Sequence, residues 1–352
     1  MKILRPISVM AAGLLWTAGA AAQVSLAPPP GAPPPVAAAK PKAKPHAVAK
    51  KPATAAPKAA TPTATTVIPA PVPDDPNADL VYGAYQRGLY KTAFDLAGKR
   101  AERGAPKAMP MLGELYATAL GVKRDYAKAA DWYKRAADAG DREAMFALAM
   151  MRLEGRGAAA NREDAVKLLA SSAKLGNPKA AYNLALLYLD GQTLPQDVRR
   201  AAELLRLAAD AGNAEAQYAL ATFYKEGTGV PKDVEKAVRL LQAASLADNV
   251  DAEVEYAIAL YNGTGTPKNE AAAVALLRKA ARQNSPIAQN RLARVLVSGQ
   301  GAPMDKIEGF KWHLGAKTAG KGDPMLDEAM AQLSPEDRSK AEAAARKWLG
   351  TK

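Results

Sequence analysis

Three groups of residues have types and spacings that suggest chemistry. Gly315, Gly320 and Lys321 follow a phosphate-binding loop up to its final position, where Gly322 replaces the Ser or Thr that would hold magnesium. That motif needs a strand before it and a helix after it, so that backbone amides converge on the phosphates. Here it closes a helical repeat, and no nucleotide site is expected. Ser171 and Lys174 carry the S-x-x-K spacing of serine acyl enzymes, but nothing supplies the rest of that machinery, and Ser172 falls in a column otherwise filled by alanine. The acidic pairs Asp74-Asp75 and Glu163-Asp164 fall at expected helix starts, where negative charge complements the helix dipole. The two histidines are His46, in a Pro-rich tract, and His313, in a bulky packing column; the chain has no cysteine. A histidine triad or metal site is therefore not expected, and thiolate ligands, disulfides and cysteine nucleophiles are excluded. No catalytic residue, cofactor or metal is expected.

What these fragments sit in is a repeat. Ala108, Ala144, Ala180, Ala216, Ala252 and Ala288 recur every 36 residues. Four residues on stand Leu112, Leu148, Leu184, Leu220, Tyr256 and Leu292, each followed by Gly or Ala. The opening Ala, the Leu and later bulky residues such as Tyr188 and Tyr224 make one stripe of a first helix. The small residue beside the Leu lets a neighbouring helix come close. Loops such as Gly227 to Pro231 and Gly263 to Pro267 end that helix with glycine and bar its continuation with proline. Asp125, Asn161, Asp197, Asp233, Asn269 and Asp305 are placed to cap a second helix. Its inward residues include Ala129, Ala165 and Ala201, with the pairs Trp132-Tyr133, Leu168-Leu169 and Leu204-Leu205. Gly140, Gly176 and Gly212, then Asp248 and Asn284, then Gly320 close the unit, where a left-handed residue suits Gly best and Asn or Asp next.

Residues 108–140 resemble the Sel-one-like repeat (SLR) family, a relative of the tetratricopeptide repeats, through Leu112-Gly113, Tyr116, Asp125, Lys128-Ala129, Trp132-Tyr133, Ala136-Ala137 and Gly140. The resemblance implies an all-α fold, a right-handed α-α superhelical solenoid of about seven helix pairs. Its expected parts are a short first pair over 74–107, six repeats over 108–323 and C-terminal capping helices over 324–352. Ser334, Pro335 and Asp337 read as N-cap, first-turn proline and acidic capping partner of the polar helix that shields the open end. The last repeat departs from the pattern at Gly309, His313 and Lys317.

The N-terminal part reads differently. Lys2 and Arg5 precede the apolar run Ile7 to Trp16 and the small residues Ala20, Ala21 and Ala22, which predicts a signal peptide over 1–22 cut after Ala22. The run is short for a membrane span. A periplasmic or secreted location follows. Residues 23–73 are rich in Ala, Pro and Lys with no acid and no aromatic, and are expected to be a disordered arm before the solenoid. Of the 48 basic residues behind the net charge of +13, eight lie in 1–73 without any acid, leaving 40 basic against 35 acidic residues in the rest. So the excess belongs to the signal and the arm, and nucleic acid is not an expected partner. The arm is either a self-repelling spacer or makes weak contact with cell wall or anionic lipid.

In tetratricopeptide relatives the first helix of each pair lines the concave binding surface. Positions 3, 6 and 10 after the opening Ala share one helix face. They hold Met111, Glu114 and Thr118 in the first repeat, then Met150 and Glu154, then Asn183, Leu186 and Asp190. Next come Thr222 and Glu226, then Glu255, Ile258 and Asn262, and finally Arg291, Arg294 and Ser298. This candidate face is acidic through the middle and basic at its end, and suits a peptide or helix of another protein; the alternative is an ordinary solvated helix face. The resemblance implies an interaction scaffold or regulator, with exported members acting in the cell envelope. A wall-bound structural role through the arm is the alternative. A β-lactamase-like hydrolase ranks last, because the exported relatives assigned that activity are cysteine-rich.

Overall fold

Helix boundaries follow the capping chemistry. The computed structural model describes residues 80–350. The expected signal peptide, the arm, residues 74–79 of the first pair and residues 351–352 lie outside the described residues. Among the described residues every regular element is an α-helix: α1 Leu80–Gln86, α2 Tyr90–Glu102, α3 Ala108–Thr118, α4 Tyr126–Asp138, α5 Arg142–Glu154 and α6 Arg162–Lys174. These are followed by α7 Pro178–Asp190, α8 Val198–Asp210, α9 Ala214–Glu226, α10 Val234–Leu246, α11 Val250–Asn262 and α12 Glu270–Arg282. The chain ends with α13 Pro286–Ser298, α14 Lys306–Thr318, α15 Pro324–Ala331 and α16 Pro335–Leu349. Each helix packs first on its pair partner and next on the helix that follows, so α1 to α14 form seven pairs of an α-α solenoid. The helix α16 lies on α14, where Trp348 meets Trp312 edge to face with ring centroids 4.9 Å apart. None of these helices is long and apolar enough to cross a membrane.

Each second helix from α4 to α14 starts on a side-chain cap. Asp125, Asn161, Asp197, Asp233, Asn269 and Asp305 each accept a hydrogen bond from the amide three residues on. A second cap column was equally readable. Asp141, Asn177, Asn213, Asn249 and Ser285 also recur every 36 residues and cap the first helices α5 to α13. The first helices end on left-handed Gly155, Gly191, Gly227, Gly263 and Gly299; α3 instead ends on Ala119, with φ of +64°. A Cβ in that region costs about 1 kcal/mol. Ala119→Gly should therefore raise the stability of the solenoid by about 1 kcal/mol, read as a higher urea midpoint at unchanged slope.

The core is made largely of alanine. Ala144, Ala180, Ala216, Ala252 and Ala288 of the first helices are buried, as are Ala165, Ala201, Ala237 and Ala273 of the second, and Leu169 and Leu205 pack with Ala165, Ala180, Ala201 and Ala216 in one cluster. Where one column changes, its neighbour compensates. Tyr133 replaces the usual Leu, and a Cβ at Gly113 would lie 2.7 Å from its ring, so the larger side chain is accommodated by the missing methyl. Gly309 replaces the usual Ala for the same reason, because a Cβ there would meet Val297 Cγ2 at 2.7 Å.

Candidate interaction face

The surface chemistry differs between the two layers. Second helices expose charged rows, such as Arg199, Arg200, Glu203 and Arg206 of α8. First helices are mostly half-buried along their outward side, and this sheltered layer carries the candidate residues. Met150 of α5, Leu186 of α7 and Ile258 of α11 are half-buried apolar groups at equivalent positions. Asn183 donates to the Lys179 carbonyl at 2.8 Å, and Thr222 donates to the Tyr218 carbonyl at 3.3 Å, so both are largely served by their own helices. Glu154, Asp190, Glu226 and Asn262 form an exposed row at the C-terminal ends of α5, α7, α9 and α11.

Not every charge on this face is free. Glu154 pairs with Arg156 at 2.6 Å, and Glu255 pairs with Lys225 at 2.8 Å. Glu114 accepts the Tyr133 hydroxyl at 3.0 Å; burial, followed by that carboxylate, pushes the phenol well above its ordinary pKa. At the far end Arg291 is half-buried, while the Arg294 guanidinium is held by Asp323, a buried cap of α15. The basic end expected of this face is thus partly neutralised. By contrast Asp190 and Glu226, with Glu215 and Asp251 in the first turns of α9 and α11, have no ion-pair partner among the described residues. Asp190 accepts only the Gln192 amide at 2.8 Å, and Glu215 only the Asn213 side-chain amide at 3.0 Å.

Sequence reasoning passed over an aromatic column on the flank of this face. Phe146, Tyr182 and Tyr218 stand two residues after the opening Ala of α5, α7 and α9, again 36 residues apart, so the signal was present. All three are half-buried. Burial raises the Tyr182 phenol, helped by Glu215. Burial pushes Tyr218 up to about 12, helped by Asp251 and Glu255. The phenol of an unfolded chain titrates near 10. Between those values the folded chain binds the additional proton. The contribution of Tyr218 is therefore complete below about pH 10 and is lost as pH rises toward 12. Phenolate absorbance should show a tyrosine titrating near 12, and that step should vanish in Tyr218→Phe.

The fragments that imitate catalytic motifs serve the fold. Ser172 is fully buried and donates to the Arg142 carbonyl of the preceding pair at 2.7 Å, while Lys174 is exposed at the end of α6. Gly315 sits inside α14 rather than in a loop between strand and helix. Glu163 and Asp164 occupy the first turn of α6. His313 is fully buried, as its packing column implies, and its Nε2 lies 2.8 Å from Asp327 Oδ1, which also accepts Lys317.

Repeated helix pairs, with charged rows exposed on the second helices and a half-buried layer of first helices, make an α-α solenoid. The Sel1 repeat model matches residues 106–141, 142–177, 178–213, 214–249, 250–285 and 286–320. The chain belongs to the Sel1 repeat family, whose members are typically non-catalytic protein-protein interaction scaffolds. It is similar to a Sel1 repeat protein from Oxalobacter formigenes, with 27% identity and a TM-score of 0.61, covering 68% of this chain and 98% of that one. It is also similar to a protective antigen of uropathogenic Escherichia coli with an SLR fold. That match has 26% identity and a TM-score of 0.53, over 74% of this chain and 64% of that one. Among curated proteins nothing matches.

Proposed function

We propose that this Sel1 repeat protein is exported to the cell envelope, where the first-helix face of α5 to α11 holds a basic and partly apolar segment of another protein. The observation that carries the reading is the set of carboxylates at Asp190, Glu215, Glu226 and Asp251, which have no ion-pair partner among the described residues. They flank half-buried Tyr182, Leu186, Tyr218 and Ile258. Apolar groups at helical spacing supply the binding area, and the acids select for Lys and Arg and steer their approach. Two of these acids, Asp190 and Glu226, stand at helix C-termini, where negative charge opposes the dipole. Asp190 is partly compensated by the Gln192 amide, but Glu226 breaks this local rule with no compensating contact among the described residues, as a residue kept for binding would. Export is supported by Lys2, Arg5, the apolar run Ile7 to Trp16 and the small residues before Gln23.

Photo-crosslinking in intact cells tests both parts. A photoreactive residue at Leu186 or Ile258 should capture one partner that a probe at Glu203, on the outer layer, does not. The captured chain should begin at Gln23. Equal capture from Glu203 would refute the face, and an intact Met1 on the captured protein would refute export.

A further inference from the structure

We infer that Tyr182 with Glu215, and Tyr218 with Asp251, form two adjoining sites for arginine, so that the partner segment carries two arginine side chains about one repeat apart. The inference rests on the binding reading above and names the side chains that this face selects. Its first support is repetition. Tyr182 and Tyr218 hold the same position of α7 and α9, and Glu215 and Asp251 the same position of α9 and α11, 36 residues apart in each case. Glu215 lies near the Tyr182 phenol, and Asp251, with Glu255, near that of Tyr218. Glu215 also stands three residues before Tyr218 on one face of α9, so the two combinations of ring and acid adjoin. In the flanking repeats the same two columns hold Phe146 with Lys179 and Val254 with Ile287, so the arrangement ends on either side.

The second support is what these groups leave unused. Each ring packs against buried residues of the core yet is only half-buried, so part of it stays at the surface. Neither hydroxyl has a hydrogen-bond partner among the described residues, and each can donate to a main-chain carbonyl of a docked segment. Glu215 and Asp251 are exposed. Glu255 is already paired with Lys225 at 2.8 Å, which leaves Asp251 as the available carboxylate beside Tyr218.

The third support is the chemistry of the cation. A guanidinium is planar and weakly hydrated, so it stacks on an aromatic ring while its edge donates two parallel hydrogen bonds to a carboxylate. An ammonium is a compact, strongly hydrated point charge that can pair with the acid but gains less from the ring. Spacing fits a short segment. The helices α7 and α9 both pack on α8, and two packings at 8–10 Å place equivalent positions within roughly 20 Å of each other. About six residues of extended chain cover that distance.

The experiment titrates hexa-arginine and hexa-lysine, both acetylated and amidated at their ends, against the full chain. The two peptides carry equal charge, so electrostatic steering is common to both and their difference reads the stacked guanidinium. Hexa-arginine should bind roughly tenfold more tightly. Tyr182→Leu with Tyr218→Leu should abolish that preference, whereas Tyr182→Phe with Tyr218→Phe keeps the rings and should retain it. Glu215→Gln with Asp251→Asn, at exposed positions outside the core, should weaken hexa-arginine about tenfold. The same change at the exposed acids Asp210 and Glu328 serves as the comparison. Equal affinity of the native chain for both peptides would overturn the inference, as would a preference that survives in the leucine variant or is lost in the phenylalanine one. If the leucine variant does not fold, the acid variant decides: a loss no larger than at Asp210 and Glu328 overturns the inference. Partner capture at Leu186 without an arginine preference also overturns it and leaves the binding reading standing. An arginine preference that needs the rings, without partner capture, supports the two sites and overturns that reading.

Discussion

Gly157→Ala will cost the solenoid on the order of 3 kcal/mol or more, while Gly155→Ala, two residues earlier in the same loop, will cost about 1 kcal/mol. Both glycines are left-handed, with φ of +68° at Gly155 and +81° at Gly157. A Cβ at Gly155 meets nothing closer than 3.4 Å, so only the left-handed conformation is penalised. A Cβ at Gly157 would lie 2.3 Å from the Tyr126 carbonyl oxygen, in the first turn of α4 in the preceding repeat. That contact is backbone on backbone, and no rotamer change relieves it. The loop would have to lift off α4, loosening the seam between two repeats, and in a solenoid seam energies largely set the cooperativity. Urea unfolding of the two variants decides the matter; equal costs would mean the loop does not bear on the neighbouring repeat.

Charge reversal at Asp190 and Glu226 should weaken partner capture by about ten- to a hundredfold without destabilising the fold. The two effects have opposite origins. Glu226 lies at the C-terminus of α9 with no partner among the described residues, so Glu226→Lys converts an unfavourable charge–dipole contact into a favourable one. Its expected gain is a few tenths of a kcal/mol. Asp190 accepts the Gln192 amide, so Asp190→Lys trades that bond for a better dipole contact and comes out near neutral. The double variant should therefore show an unchanged or slightly raised melting temperature together with impaired binding. If capture is unchanged, these acids form an ordinary solvated edge. If binding and melting temperature fall together, their role is structural.

The architecture was legible in the chain because its signals are local and repeated. A cap side chain bonds an amide three residues away, a closing Gly, Asp or Asn adopts a left-handed turn by itself, and the 36-residue register copies both decisions along the chain. Asp248 and Asn284, with φ of +60° and +63°, take the place of glycine as the turn chemistry predicts. The α-α solenoid and the family follow from that register. The candidate face was legible only as positions on a helix. Which of its charges are already used depends on partners that no local signal specifies, such as Asp323 for Arg294, Lys225 for Glu255 and Tyr133 for Glu114. The aromatic column of Phe146, Tyr182 and Tyr218 gained meaning only beside the acids of the next helix pair.

By itself, then, the sequence determined the helices, their caps, their order and the repeat they build, because each rests on contacts within a few residues. Tertiary structure alone decided that Gly157 must lack a side chain and that Asp190, Glu215, Glu226 and Asp251 have no ion-pair partner among the described residues. It also decided that Tyr182 and Tyr218 stand half-buried beside acids. Each of these depends on how closely one helix pair approaches the next, a distance set by the summed volumes of the packed columns rather than by any residue's own preference.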